Sequence, residues 1–322
     1  MQKAMTVVVA ALLLLSLMAL AIGCPPAEVE PVKEVTVGSK GFTEQLIVGE
    51  LMKQLLEDRG FEVTLKSGLS TTALRGGMEA GDIDIIAEYT GTAWMVHFGR
   101  EYEPGIDNNE LYRLVKEVDA GKGIVWLDPM WNNNTYALAV WPEFAAEHNL
   151  ATLSDLAALY REMEGKVAMF VTLEFAARPD GLPALQEHYG FVVDEGFLMT
   201  GAAGMSLVAL AERETEVGMV FGTDPAIVKH GWTVLVDDKA FFPPYDLTPS
   251  VRAEVLEKFP EIRDILNELV ASFPGGGEPA TAEIVAAGQR AWQELNAKVD
   301  IEGMLPEEAA REYLIEHGLI GK

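Results

Sequence analysis

Strand-like and helix-like patterns of hydrophobic residues alternate along the chain from Val35 onward. The predicted helix at 44–60 shows the helical pattern clearly, because Ile47, Leu51 and Leu55 recur every fourth residue and form one apolar face. Thr43 is predicted to be its N-cap. The first run of elements is EVTVGS (34–39), EQLIVGELMKQLLEDRG (44–60), FEVTLKSG (61–68), TTALRGGMEAG (71–81) and DIDIIAEY (82–89). This order predicts an α/β fold with a largely parallel sheet.

A second run of similar layout follows. In both runs a helix leads through acidic residues into an apolar strand with an aromatic residue near its end, Tyr89 in the first and Phe221 in the second. The layout predicts two similar lobes, each of which offers a strand end to a shared cleft. The second run comprises TYALAV (135–140), TLSDLAALYREM (152–163), KVAMFV (166–171), LPALQEHYG (182–190), SLVALAERE (206–214), EVGMVFGT (216–223) and WTVLVDD (232–238).

The C-terminal part has a helical pattern. Thr248 and Pro249 are predicted to form the N-cap and first turn of a helix through SVRAEVLEKF, which Pro260 ends. The remaining predicted elements are the helix EIRDILNELVASF (261–273), the loop PGGGEP (274–279) and the helices TAEIVAAGQRAWQELNAKVD (281–300) and PEEAAREYLIEHGLI (306–320).

The N-terminus has the pattern of a secretory signal peptide, predicted to span residues 1–23. An apolar run follows Lys3 and ends in AIGC, which resembles a bacterial lipobox. Cys24 is the single cysteine, so the chain can form no internal disulfide, and we expect it to carry lipid after cleavage. Residues 24–32, rich in Pro and Glu, are expected to form a tether. The apolar run is also long enough for an uncleaved membrane anchor.

Composition narrows the class of protein. The chain has 322 residues, 49% of them hydrophobic, which is enough for two packed domains. Its formal net charge of -26 repels phosphate backbones and excludes nucleic acid as a partner. The 5 histidines show no metal-ligand spacing, and no nucleophile elbow, Walker loop or dinucleotide fingerprint occurs. We therefore expect no enzyme, no cofactor and no metal.

Aromatic residues at turns and strand ends remain as candidate chemistry. An α/β sheet binds ligands at the carboxyl ends of its strands, where Tyr89 and Phe221 are predicted to lie. Singly, each ring is compatible with ordinary core packing, but together they indicate a binding cleft. These residues are Tyr89, Trp94, Trp131, Tyr136, Phe221, Trp232 and Tyr245.

Longer blocks of sequence, in order across residues 33–320, resemble the substrate-binding proteins of quaternary-amine ABC transporters, which import glycine betaine, choline, carnitine and related osmoprotectants. The blocks are VTVGSKGFTEQLIVGELM, GDIDIIAEYTGTA, WLDPMWNNNTYALAV, RPDGLPAL, DDKAFFPPYDLTPSVR and ELNAKVDIEG. The resemblance implies a two-lobed, periplasmic-binding-protein-like fold of type II with two crossover hinges. Lobe one would comprise residues 33–130 and 241–322, and lobe two residues 131–240.

The resemblance also implies an aromatic cage. A trimethylammonium group donates no conventional hydrogen bond, whereas the negative face of an aromatic ring attracts it by roughly 0.5–2 kcal/mol. Tyr89, Tyr136 and Tyr245 are implied as cage walls. Phe221 is implied as the fourth wall, at a position where the family typically has tyrosine.

Three donors are implied for the carboxylate of a zwitterionic ligand, namely Lys40 in GSKGFTEQ, Thr92 in YTGT and Arg178 in RPDG. Asn134 lies two residues before Tyr136, where some relatives carry an acid, so one charge facing the ammonium would be absent here.

The implied protein is a monomeric, lipid-anchored extracytoplasmic receptor that delivers its ligand to an ABC permease with separate ATPase subunits. The ligand could instead be another small amine or an amino-acid-like molecule. Two alternative hypotheses remain. The protein could be a lipoprotein of the same fold without a role in transport, or an enzyme acting on a small acid or amine.

Overall fold

The computed structural model describes residues 32–178, 180–202 and 204–321. The predicted signal peptide, Cys24 and nearly all of the predicted tether lie outside these residues. Within the described residues, no helix combines the length and the apolar character needed to cross a membrane.

The first of two sheets has five strands in the order β2-β1-β3-β10-β4. β1 pairs in parallel with β2 and with β3, whereas β10 runs antiparallel to both β3 and β4. Four of its strands precede the second sheet in the sequence, and the fifth follows it. The strands are β1 (Glu34–Lys40), β2 (Glu62–Leu69), β3 (Ile85–Tyr89), β4 (Ile124–Trp126) and β10 (Leu247–Arg252).

The second sheet repeats this plan with the order β7-β6-β8-β5-β9. β6 is parallel to β7 and β8, and β5 is antiparallel to β8 and β9. The strands are β5 (Tyr136–Val140), β6 (Met169–Thr172), β7 (Leu198–Gly201), β8 (Val217–Phe221) and β9 (Thr233–Val234). The chain thus passes between the sheets twice, after β4 and after β9. The predicted lobe boundaries fall in these two connections, and the boundaries themselves stay a prediction.

In each sheet four strands run in the same direction and one is antiparallel, so the expectation of a largely parallel sheet is confirmed except for that one strand. The antiparallel strand in each case, β5 or β10, is the first one after a crossover. It enters its sheet at the end that faces the other sheet, and therefore runs opposite to the strand beside it. The register shows this directly, because Tyr136 at the start of β5 pairs with Phe221 at the end of β8, and Leu247 at the start of β10 pairs with Tyr89 at the end of β3.

Helices cover the sheets. In α1, Ile47, Leu51 and Leu55 are fully buried, as their spacing predicted. The helices are α1 (Thr43–Asp58), α2 (Thr71–Ala80), α3 (Thr90–Thr92), α4 (Asn108–Ala120), α5 (Pro142–His148), α6 (Leu153–Glu162), α7 (Leu173–Ala177), α8 (Leu182–Tyr189), α9 (Met205–Ala211), α10 (Ala226–His230), α11 (Ala253–Lys258), α12 (Glu261–Ala271), α13 (Ala282–Asp300) and α14 (Pro306–Glu316). α3 continues into a π-helical turn at Ala93–His97, and a 3₁₀ turn spans Glu195–Phe197.

Two local predictions were wrong. Thr43 is the first residue of α1 rather than its cap, and its hydroxyl donates to Asp300 instead of to a helix N–H. Thr248 and Pro249 lie inside β10, and the helix that they were expected to start begins only at Ala253. Pairing of β10 with neighbours on both sides outweighs the turn preference of the Thr-Pro sequence, and the Pro249 carbonyl still accepts a hydrogen bond from the N–H of Leu127.

Candidate ligand-binding site

A cavity of about 230 Å³ lies where the strand ends of the two sheets face each other. All eight ligand-binding residues predicted from the sequence line it. The lining residues are Lys40, Phe42, Thr71, Tyr89, Thr92, Asn134, Tyr136, Thr172, Leu173, Glu174, Arg178, Gly201, Ala202, Phe221 and Tyr245.

The crossovers bring the aromatic residues together. Tyr89 ends β3 and Phe221 ends β8, while Tyr136 begins β5 and Tyr245 lies two residues before β10. Because each crossover strand enters antiparallel, its first residues lie beside the last residues of its neighbour. This topology brings four rings that are far apart in sequence to one cavity.

Tyr136 is the centre of the aromatic cluster. Its ring meets that of Tyr245 edge-on, with centroids 5.5 Å apart and planes at 90°, which forms a corner. Phe221 continues the wall at a centroid distance of 5.3 Å from Tyr136. Burial raises the pKa of Tyr136, so its hydroxyl stays neutral and available as a hydrogen-bond partner.

Phe42 is a fifth ring at the cavity that the sequence reasoning missed. It stacks on Phe221, with centroids 5.2 Å apart, and on Tyr89, with centroids 6.2 Å apart. Phe42 thereby links the ring at the end of β3 in the first sheet to the ring at the end of β8 in the second. Its place in the block GSKGFTEQ, two residues after Lys40, was the available signal.

Lys40 reaches the cavity but is already paired. Its Nζ lies 2.6 Å from Oε1 of Glu88, and 5.1 Å from the centroid of the Tyr89 ring. The second oxygen of Glu88 lies 3.0 Å from Nε2 of His97. Burial opposes the charge on Glu88, but Lys40 and His97 outweigh it and hold the pKa of Glu88 at about 2. Glu88 was not predicted as a site residue.

Arg178 is held in the same way by Asp180. Nε and one terminal nitrogen contact the two carboxylate oxygens at 2.8 and 2.5 Å, the bidentate geometry that suits a guanidinium. The other terminal nitrogen donates to the Tyr136 hydroxyl at 3.0 Å, so Arg178 is connected to the cage through a ring residue. Its side chain also contacts Glu174, at 3.4 Å. Asp180, two residues along the chain, is a second acidic partner that the sequence reasoning missed.

Glu44 holds the opposite side of the cage. Its Oε1 accepts hydrogen bonds from the Tyr89 hydroxyl at 2.8 Å, from Asn132 at 3.0 Å and from Asn134 at 3.1 Å. Burial raises the pKa of Glu44, and the surrounding donors partly oppose that shift. Asn134, which the sequence suggested as the position of an absent charge, thus uses its amide to contact a carboxylate supplied by α1.

Thr92 lies buried in α3, immediately after β3. Its hydroxyl forms no hydrogen bond within the described residues and lines the cavity. The site therefore combines ring faces, two cationic side chains already compensated by carboxylates, and a hydroxyl free to bond a ligand. That combination suits a small ligand with a cationic apolar end and a polar end. No group of three or more residues suited to hold a metal occurs in the described parts of the chain.

Comparison with known proteins assigns the chain to a family. Residues 33–316 match the model of the substrate-binding domain of the ABC-type glycine betaine transport system. The chain is 36% identical over 290 residues to the glycine-betaine-binding protein of Pseudomonas aeruginosa, covering 88% of each protein. It is 31% identical over 306 residues to the glycine betaine-binding protein YehZ of Escherichia coli, covering 92% of this chain and 94% of YehZ.

A solved structure also resembles this chain along most of its length. The crystal structure of a glycine betaine/carnitine/choline ABC transporter protein matches with a TM-score of 0.66 and 26% identity, covering 88% of this chain and 99% of the other. The type II periplasmic-binding-protein fold is thus confirmed, and so is the expectation that the protein is not an enzyme, because these relatives are binding proteins of transporters. The chain belongs to the family of substrate-binding domains of ABC-type glycine betaine transport systems.

Proposed function

We propose that the protein captures a quaternary ammonium osmoprotectant, such as glycine betaine, in the cavity lined by Tyr89, Tyr136, Phe221 and Tyr245. The observation that carries this proposal is the meeting of four rings from two sheets around one cavity. A trimethylammonium group against these ring faces would gain roughly 0.5–2 kcal/mol from each ring that it touches, without needing a hydrogen-bond acceptor.

The polar end of the ligand would face Lys40, Thr92 and Arg178. Both cations are already paired, so a ligand carboxylate would share them with Glu88 and Asp180 rather than meet free charges. Lys40 has three donor hydrogens, and Arg178 has donors beyond the two that Asp180 uses, so sharing is chemically possible. Thr92 would add a neutral donor.

Capture would couple to closure of the two lobes. Tyr89 ends a strand of the first sheet and Phe221 a strand of the second, so the complete cage requires both sheets to be close together. The closed form would then deliver its ligand to an ABC permease served by separate ATPase subunits. In this proposal the receptor is a monomer on the extracytoplasmic side of the membrane, held there by lipid on Cys24.

Isothermal titration calorimetry of the purified protein tests the proposal. Glycine betaine, choline and carnitine are titrated beside proline, which lacks a trimethylammonium group. We expect one-to-one binding of at least one trimethylammonium compound and no binding of proline. Preference for glycine betaine over choline would support Lys40 and Arg178 as carboxylate donors, whereas preference for choline would indicate that their carboxylate partners keep them occupied.

A neutral isostere sharpens the test. In 3,3-dimethylbutan-1-ol a carbon atom replaces the quaternary nitrogen of choline, so the shape is kept and the charge is lost. If the rings recognise the cation, this alcohol binds at least about tenfold more weakly than choline. Equal binding of the alcohol and choline, or silence from every trimethylammonium compound, would refute the proposed cage.

A further inference from the structure

A second cavity, of about 500 Å³, adjoins the first. Phe42, Asn134 and Phe221 line both cavities, so these side chains form the wall between them. The second cavity extends from this wall between α1, the end of β8 and the C-terminal end of α13. Among its lining residues, only Asn134 and Phe221 were predicted from the sequence as site residues, and both also line the first cavity.

A buried acceptor among the lining residues, Oδ1 of Asn296, has no hydrogen-bond partner among the described residues, and Asn296 is only 2% exposed. Oε2 of Glu44, a residue that is 1% exposed, forms no hydrogen bond of good geometry, although the nearby Thr223 hydroxyl favours the charged form of this carboxylate. The amide of Asn296 donates from Nδ2 to the carbonyl of Thr223 at 3.1 Å, and this bond orients Oδ1 as the free acceptor. A buried acceptor left without a donor is destabilising, and a ligand with N–H donors would satisfy it.

Three further carboxylates, those of Glu212, Asp224 and Asp300, line the same cavity. Asp224, just after β8, accepts a hydrogen bond from the N–H of Phe221 at 2.7 Å, and Asp300, at the end of α13, accepts one from the Thr43 hydroxyl at 2.6 Å. Asp300 is exposed and Asn296 is buried, so the cavity runs from an open mouth to a closed interior. Burial raises the pKa of Asp224 to about 7, and the charges of Asp300 and Glu44 add to that shift. A cation placed here would relieve this repulsion.

Basic groups also line the cavity but do not neutralise it. Lys229 and His230, from α10, are among its lining residues together with Glu212. The ammonium group of Lys229 forms no ion pair with any carboxylate in the described parts of the chain. Acidic side chains nevertheless outnumber basic ones in the lining, where Glu44, Glu212, Asp224 and Asp300 face Lys229 and His230.

We propose that the second cavity binds a small cation that carries N–H donors, namely a primary ammonium or a guanidinium. Its N–H groups would pair with Glu44 Oε2 and Asn296 Oδ1, and its charge would lie among Glu44, Asp224 and Asp300. A quaternary amine has no N–H to offer these oxygens, so the two cavities select different amines. The cavity is also far larger than a metal ion needs, and its apolar lining, including Leu207 and Ile301, suits an alkyl chain.

Calorimetry with n-butylammonium tests this proposal on the full-length protein. The matched control ligand is butyltrimethylammonium, which keeps the alkyl chain and the charge but has no N–H. The matched variants are Asp300→Asn, at the mouth, and Asn296→Leu, at the interior. Glu117→Gln is the control variant, because that side chain is 71% exposed and lies on α4, outside the cavity lining.

We expect one-to-one binding of n-butylammonium, weakened about tenfold in Asp300→Asn and in Asn296→Leu and unchanged in Glu117→Gln. A crystal structure with n-butylammonium should place its nitrogen beside Glu44 Oε2. The proposal is overturned if n-butylammonium does not bind, if Asp300→Asn binds it as tightly as the wild-type protein, or if the crystal shows only water in the second cavity. Titration of glycine betaine into the same variants reports on the first cavity separately, so failure of one proposal can be distinguished from failure of the other.

Discussion

The ammonium group of Lys40 and the carboxylate of Glu88 form a buried ion pair, with Nζ 2.6 Å from Oε1. Both side chains are almost completely shielded from solvent, and Glu88 also contacts His97. Removing one partner of such a pair leaves a buried charge uncompensated, which is costlier than the net contribution of the intact pair. The cation that the proposed ligand would approach is therefore also a structural element of the first sheet.

Glu88→Gln should destabilise the protein near neutral pH by on the order of 3 kcal/mol. The pKa of Glu88 is about 2 in the folded protein, below its usual value of 4.5. Its contribution to stability is therefore complete above about pH 4.5 and is lost as the pH falls toward 2. Denaturant unfolding of the wild-type and variant proteins between pH 7 and pH 2 should show the two free energies converging over that interval.

The exposed variant Glu117→Gln serves as the control for this series, because it removes the same charge from a surface position. A gap between the wild-type protein and Glu88→Gln that stayed constant down to pH 2 would contradict the role of the ion pair.

Tyr89→Ala and Tyr245→Ala should each weaken glycine betaine binding at least about tenfold, because each removes a ring face and opens the cage to water. Tyr245→Phe keeps the ring and loses only the hydroxyl, which contacts Asp180 at a long distance of 3.4 Å. Its affinity should stay close to that of the wild-type protein. Calorimetry on the three variants checks this, and wild-type affinity in both alanine variants would remove these residues from the cage.

Phe42→Ala should also weaken glycine betaine binding, by about tenfold, because Phe42 stacks on Tyr89 and Phe221 and helps to position both. Phe42→Leu is the matched control, since leucine retains much of the volume but has no ring face. We expect its affinity to resemble that of Phe42→Ala. If Phe42→Leu bound glycine betaine like the wild-type protein, Phe42 would act as a filler of space and not through its ring.

Thr71→Val should disfavour closure. The Thr71 hydroxyl, at the start of α2, donates to Oε1 of Glu174 in α7 at 2.6 Å, and this bond joins elements that cover different sheets. A hydrogen bond to a charged group contributes roughly 1.5–3 kcal/mol, so we expect affinity for glycine betaine to fall about tenfold or more. Small-angle X-ray scattering of the liganded protein should show a larger radius of gyration for the variant.

Thr72→Val controls for the chemical change, because Thr72 is the next residue along α2 and is exposed. If both variants behaved alike, the Thr71–Glu174 contact would have no part in closure.

Local pattern predicted much of this fold. The apolar face of α1, the strands ending at Tyr89 and Phe221, and the long C-terminal helices follow from the spacing of hydrophobic residues. Periodicity reports local structure well because burial of one face stabilises each element in turn. The prediction failed at Thr248 and Pro249, which have the local sequence pattern of a helix start. Pairing with two neighbouring strands makes this segment part of β10 instead.

Family resemblance in the sequence also supplied the eight predicted residues of the cavity, seven of which lie in blocks that match in order along most of the chain; Phe221 lies outside these blocks. The acidic residues that pair with these side chains could not be predicted from the sequence in the same way. Glu44, Glu88 and Asp180 are ordinary acidic residues in the sequence, and nothing local marks Glu88 as the partner of Lys40, which lies 48 residues away.

The sequence by itself determined which elements form and which aromatic residues end them. Only the tertiary structure decided that the crossover strands run antiparallel and bring Tyr136 against Phe221, that Phe42 bridges two rings, and that both predicted cationic donors are already paired. The physical reason is that hydrophobic spacing acts over a few residues, whereas burial of charge and ring stacking depend on groups that meet only after the chain has crossed twice between its sheets.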